Sequence, residues 1–134
     1  MTLPAKYWLI IFLILGILFK LWFVGLQPQP FAFDQEEYHA VALDLLGKRE
    51  NMYFSAYRVW GYPLILSAVY SIFGTGDTFW WKVVQAGLDS LTGIFVFLIA
   101  KELFKNKTVA WLSASFYILN PYTSAYVGVR LTEI

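Results

Sequence analysis

The sequence contains no cysteine and a single histidine, His39. Disulfides, thiol catalysis and a Cys/His zinc centre are therefore excluded, and any metal would have to be held by carboxylate oxygens. Charge is scarce as well. Only 14 % of the 134 residues are charged, where a soluble domain carries about a quarter. The formal net charge of +1 gives no support for a nucleic-acid partner. What fills the sequence instead is apolar: 59 % is hydrophobic, with Phe, Trp and Tyr supplying 20 %. The charges collect between long apolar runs, the distribution that lipid demands. The pattern predicts an all-α membrane protein, with residues 1–134 forming a single transmembrane domain.

The first apolar run, YWLIIFLILGILFKLWFVGL over residues 7–26, holds one charge, Lys20. At 1.5 Å per residue, twenty residues reach roughly 30 Å, one hydrocarbon core. The run exceeds the usual signal-peptide core of about 7–15 residues, and no small-residue cleavage site follows, so an uncleaved first span is expected. Lys20 is expected to snorkel to the headgroups. Gln27-Pro-Gln-Pro30 ends the helix. Asp34, followed by Glu37 at capping-box spacing, then opens an interfacial helix over 34–47. Its apolar stripe is Tyr38, Val41, Ala42, Leu45 and Leu46, with His39, Asp44 and Lys48 off the stripe. A second short helix is expected over 63–73, opened by Pro63, stopped at Gly74 and too short to span.

Two further spans are predicted, at 79–104 and 109–129. The first carries a polar stripe, Gln85, Asp89 and Thr92, that should face other helices rather than lipid. The second should kink at Asn120-Pro121. Lys101, Lys105 and Lys107 crowd the turn between them. The positive-inside rule puts that turn and the N-terminus in the cytoplasm, and Asp34, Glu36, Glu37, Arg58 and Glu133 on the outer side.

Carboxylates and an arginine at one membrane face suit an anionic lipid-linked substrate. A carboxylate accepts a proton from a hydroxyl or holds a divalent cation, and the guanidinium fork matches phosphate. Each residue also has a plainer role: Asp34 and Glu37 as a helix cap, Arg58 as a headgroup anchor, Asp89 with Gln85 as an interhelical contact, Trp80-Trp81 as an interfacial anchor.

The order of these features, FDQEEYHAVALDLL, then RVWGYPLILSAVYSIFG, then KELF and NPYTSAYVGVRLTE, resembles the start of bacterial GT-C fold glycosyltransferases. The resemblance is to the branch of dolichyl-phosphate-mannose protein mannosyltransferases and lipid A aminoarabinose transferases. It implies a bacterial inner-membrane enzyme that takes sugar from a polyprenyl-phosphate-linked donor to an acceptor on the outer face. It further implies that Asp34 is the catalytic base, that Glu133 is a second catalytic acid, and that either is a candidate ligand for a divalent cation. Arg58 would meet the donor phosphate, with Glu37 and Tyr62 as further substrate contacts. Such enzymes carry about seven conserved spans, and the chain ends on Leu-Thr-Glu-Ile, so this is expected to be the N-terminal part of a longer polypeptide, inactive as 134 residues alone. The alternative is a degenerate family member acting as a non-catalytic accessory subunit among other membrane proteins.

Overall fold

The computed structural model describes residues 5–26, 33–48, 60–75 and 79–129. All six elements are helices, and no strand occurs among the described residues: α1 (Ala5–Leu26), α2 (Phe33–Leu45), α3 (Gly61–Phe73), α4 (Phe79–Phe104), α5 (Lys107–Ile118) and α6 (Pro121–Tyr126). Two of them, α1 and α4, are long and apolar enough to cross a membrane.

α1 and α4 run antiparallel. Leu9 and Phe12 near the start of α1 pack on Phe97 and Ala100 near the end of α4. At the other end, Val24 packs on Ala86 and on Val127 beyond α6. The helices approach closely because the residues between them are small. A Cβ on Gly16 would meet Ser90 Oγ at 3.0 Å, and one on Gly93 would meet Ile118 Cδ1 at 2.7 Å. Ala100, Ala110 and Ala114 continue the seam between α4 and α5. Small residues at helix contacts are the usual solution where apolar burial gives helices no reason to associate.

The large apolar side chains point outward. Ile10, Ile14, Leu18 and Trp22 of α1 are all at least half exposed, as are Phe95, Ile99 and Leu103 of α4. Only 17 % of the apolar stretch of α1 is buried. This is the reverse of the core helix of a water-soluble domain, whose large apolar residues face inward.

α2 and α3 form a pair that lies against the first turns of α4. Their shared core is Ala42, Leu66, Val69, Tyr70 and Trp81. Trp81 is therefore not the interfacial anchor expected from the Trp-Trp pair. Trp80 half-emerges and stacks on Phe73 at 4.4 Å, while Trp81 packs into the core. α2 begins at Phe33, so Asp34 lies inside its first turn rather than at the capping position that the Asp34/Glu37 spacing predicted. It ends as expected near Gly47, whose φ of 63° and the bonds from the Gly47 and Lys48 amides to the Asp44 and Leu43 carbonyls form a Schellman cap. The expected stripe holds except at Leu45: Tyr38, Val41 and Ala42 are buried and Leu46 packs against the core, while Leu45 is exposed.

The segment expected as one kinked helix over 109–129 is broken in two. α5 stops at Ile118 and α6 restarts at Pro121, because Pro121 has no amide to donate and its ring clashes with the carbonyl four residues back. Asn120 caps the restart through a bond from the Tyr122 amide to its side chain, at 2.9 Å. Asn106 caps α5 likewise, accepting from the Thr108 amide at 2.8 Å.

Candidate functional site

Two polar centres are built into this apolar frame. The first joins α1, α4, α5 and α6. Lys20 of α1 is completely buried and forms an ion pair with Asp89 of α4. Tyr117 of α5 donates its hydroxyl to the second Asp89 oxygen at 2.7 Å. Ser124 of α6 accepts a weaker contact from the Lys20 ammonium at 3.4 Å and donates to the Asn120 carbonyl at 2.8 Å. The Lys20 ammonium also stands 5.7 Å from the centre of the Tyr117 ring.

This corrects the expectation that Lys20 snorkels to headgroups. The residue lies six positions before the end of α1 at Leu26, roughly 9 Å of helix by rise per residue. A carboxylate at the same depth on a neighbouring helix gives it a nearer partner. The expectation for Asp89, an inward face shared with Gln85, agrees with the burial of both. Thr92 is exposed and bonds back to the Leu88 carbonyl at 3.2 Å, but its side chain also reaches the Tyr117 hydroxyl, so it too is on the face turned to α5.

The second centre is Gln85. Its side-chain oxygen accepts from the Tyr62 hydroxyl at 2.9 Å. Its amide nitrogen donates to the carbonyls of Tyr126 and Val129, both at 3.0 Å. One side chain of α4 thus fastens the GYP segment that opens α3 to the segment that follows α6. Tyr62 also meets the Tyr38 ring edge-to-face at 5.4 Å, bringing α2 into the cluster. Next to it, His39 Nδ1 and the Tyr70 hydroxyl share a hydrogen bond of 2.7 Å between α2 and α3.

The residues singled out from the sequence fall unevenly on this frame. Tyr62 sits in the Gln85 cluster. Glu37 is half-buried on α2, and Glu36 beside it is exposed. Asp34 is in the first turn of α2, its side chain outside what is described, and Arg58 and Glu133 lie outside the described residues. Among the described residues no cluster of three or more His, Cys, Asp or Glu side chains is arranged to hold a metal ion. Sequence reasoning missed the Lys20–Asp89 pair. The signal was present: between residues 7 and 26, and again between 83 and 100, there is one charge each, and the two are of opposite sign.

Replacing Gln85 by leucine should cost about 2 kcal/mol of stability, since three hydrogen bonds made by its side chain, at about 0.6 kcal/mol each, are lost; the Tyr126 carbonyl keeps the Val129 amide as a donor. Glutamate at the same position should cost more, because its carboxylate would face the two carbonyls. Unfolding in a mixed-micelle SDS titration measures both. Equal stability of all three proteins would remove Gln85 as a fastening point.

Comparison with protein families, with curated proteins and with solved structures returned no match to this chain.

Proposed function

We propose that the chain is an integral membrane protein, crossing the bilayer with α1, α4 and the broken α5–α6 pair. We further propose that it forms the N-terminal part of a GT-C type glycosyltransferase using a polyprenyl-phosphate-linked sugar. The membrane reading is supported by the outward-facing apolar side chains around a buried ion pair, an arrangement that lipid favours and water does not. The observation that carries the enzymatic reading is the Gln85 junction. It brings Tyr62 of the GYP segment and the carbonyls leading into VRLTE, more than 60 positions apart in sequence, to the end of the bundle where α2 also packs.

In this reading the acceptor hydroxyl attacks the anomeric carbon of the sugar and gives its proton to Asp34. The bond between that carbon and the phosphate oxygen breaks, and the carrier leaves as polyprenyl phosphate, its charge met by Arg58. Glu133 supplies a second polar or cation contact, and Glu37 and Tyr62 shape the substrate site. The lysine turn lies on the cytoplasmic side of a bacterial inner membrane and the Asp34 segment on the outer side.

An in-membrane transfer assay on the full-length product of the coding sequence tests this. Asp34→Asn should lower turnover about a hundredfold, the low end of what a positioned proton acceptor contributes. Variant levels in the membrane are measured alongside. Unchanged turnover would reject Asp34 as the base. No transfer by intact wild-type protein that co-purifies with other membrane subunits would favour the accessory-subunit alternative instead.

A further inference from the structure

The end of the bundle opposite the Gln85 junction carries a feature that sugar transfer does not use. Trp8, Ile11, Phe12 and Leu15 of α1 and Trp111 of α5 line an apolar groove of about 330 Å³. On α1 the spacing of Trp8, Ile11 and Leu15 puts them along one face. The floor is held in place: the Trp111 ring meets Phe12 edge-on at 5.2 Å and Phe97 at 4.4 Å. The groove therefore exists before anything enters it.

Its rim is basic. Lys107, the first residue of α5, stands four residues before Trp111, one helical turn nearer the bundle end on the same face. Lys101 stands in the last turn of α4, and Lys105 lies in the turn that follows, paired with Glu102. All three lysines are exposed, against the single carboxylate of Glu102. The start of α5 adds a partial positive charge. Its Thr108 and Val109 amides are already taken by the Asn106 side chain, so the attraction for an anion comes from the lysines.

We propose that this groove binds one anionic phospholipid, an acyl chain lying between α1 and α5 and the phosphate held by Lys105 and Lys107. Charge complementarity selects this occupant. A zwitterionic lipid would fill the apolar slot equally well but gain little from the rim, whereas an anionic headgroup gains from each lysine within reach. The inference rests on the membrane reading above and is independent of the glycosyltransferase reading.

Native mass spectrometry of the full-length chain in neutral detergent, with dioleoyl-phosphatidylglycerol and dioleoyl-phosphatidylcholine added at equal concentration, tests it. The expected result is a one-to-one adduct with the phosphatidylglycerol in excess, roughly fivefold for each lysine engaged. Lys105→Gln/Lys107→Gln, both at exposed positions, should remove the preference while leaving the residual adducts equal. Leu15→Trp, at a position 59 % exposed, should fill the groove and lower the adducts of both lipids. Equal adducts of the two lipids on the wild type would overturn the proposal. So would a preference that survives the double lysine variant, or an adduct undiminished in Leu15→Trp. The assay needs no sugar donor, so its failure and the failure of the transfer assay are distinguishable.

Discussion

Lys20→Met is expected to destabilise the folded bundle by about 3–5 kcal/mol, the usual cost of stripping one partner from a buried ion pair. A typical domain has about 5–15 kcal/mol in total, so this variant should lose most of its folded population. Asp89→Leu should fall in the same range, because the Lys20 ammonium is then left without its counter-charge at a site with no exposure to solvent. The informative protein is the double variant Lys20→Met/Asp89→Leu. With both charges gone, the remaining loss is the Tyr117 hydroxyl, which no longer has the Asp89 carboxylate to donate to. The Thr92 side chain stays beside that hydroxyl, so losing the carboxylate costs about 1 kcal/mol, and the double variant should recover a large part of the stability of either single one. Adding Tyr117→Phe should recover more. SDS-titration unfolding of the four variants against the wild type reads the whole series. A double variant as unstable as the sum of its singles would mean that the two charges do not act as a pair.

The second large effect is steric. Gly93 is buried where α4 crosses α5, and a Cβ there would stand 2.7 Å from Ile118 Cδ1 and 3.0 Å from Ile118 Cγ1. Gly93→Leu should cost about 3 kcal/mol, the upper end of overpacking, because a branched side chain can only be admitted by separating the helices. Gly93→Ala should cost less, and Ile118→Val should rescue it by removing the Cδ1 that the new methyl meets. Gly87, in the same helix, has nothing within 4 Å of its Cβ position. Gly87→Ala should therefore be neutral or stabilise by about 0.5–1 kcal/mol through helix propensity. Thermal unfolding in detergent compares the pair. Equal effects at the two glycines would mean that α4 and α5 are not in close contact at Gly93.

The contrast between α1 and α4 shows what was legible in the sequence. The extent of α4 could be read from its run of apolar residues bounded by Gly76 and the lysine turn, and the inward face of Gln85 and Asp89 from their spacing. Both are local properties of one helix. Lys20 was misjudged because its partner lies 69 residues away, and a lone lysine within reach of a helix end has a plausible local outcome at the headgroups. Trp81 was misjudged for the same reason: membrane-edge tryptophans are common, and only the packing of α2 and α3 covers this one. The break before α6 was visible as Pro121. Its completeness depended on the cap that Asn120 provides. Of the candidate site, Tyr62 came to the centre through Gln85, a pairing that no spacing rule announces because the two residues belong to different helices.

The separation of Lys20 from Asp89 in the chain also has a consequence in time. A ribosome adding about 5–20 residues per second needs roughly 3–14 s to go from the first to the second. For that interval the newborn α1 carries an ammonium with no counter-charge, at a position the finished protein seals from solvent. If α1 crosses the bilayer as proposed, that charge opposes its full insertion until α4 has been made. On that reading α1 waits at a polar place, or settles shallowly and descends when Asp89 arrives.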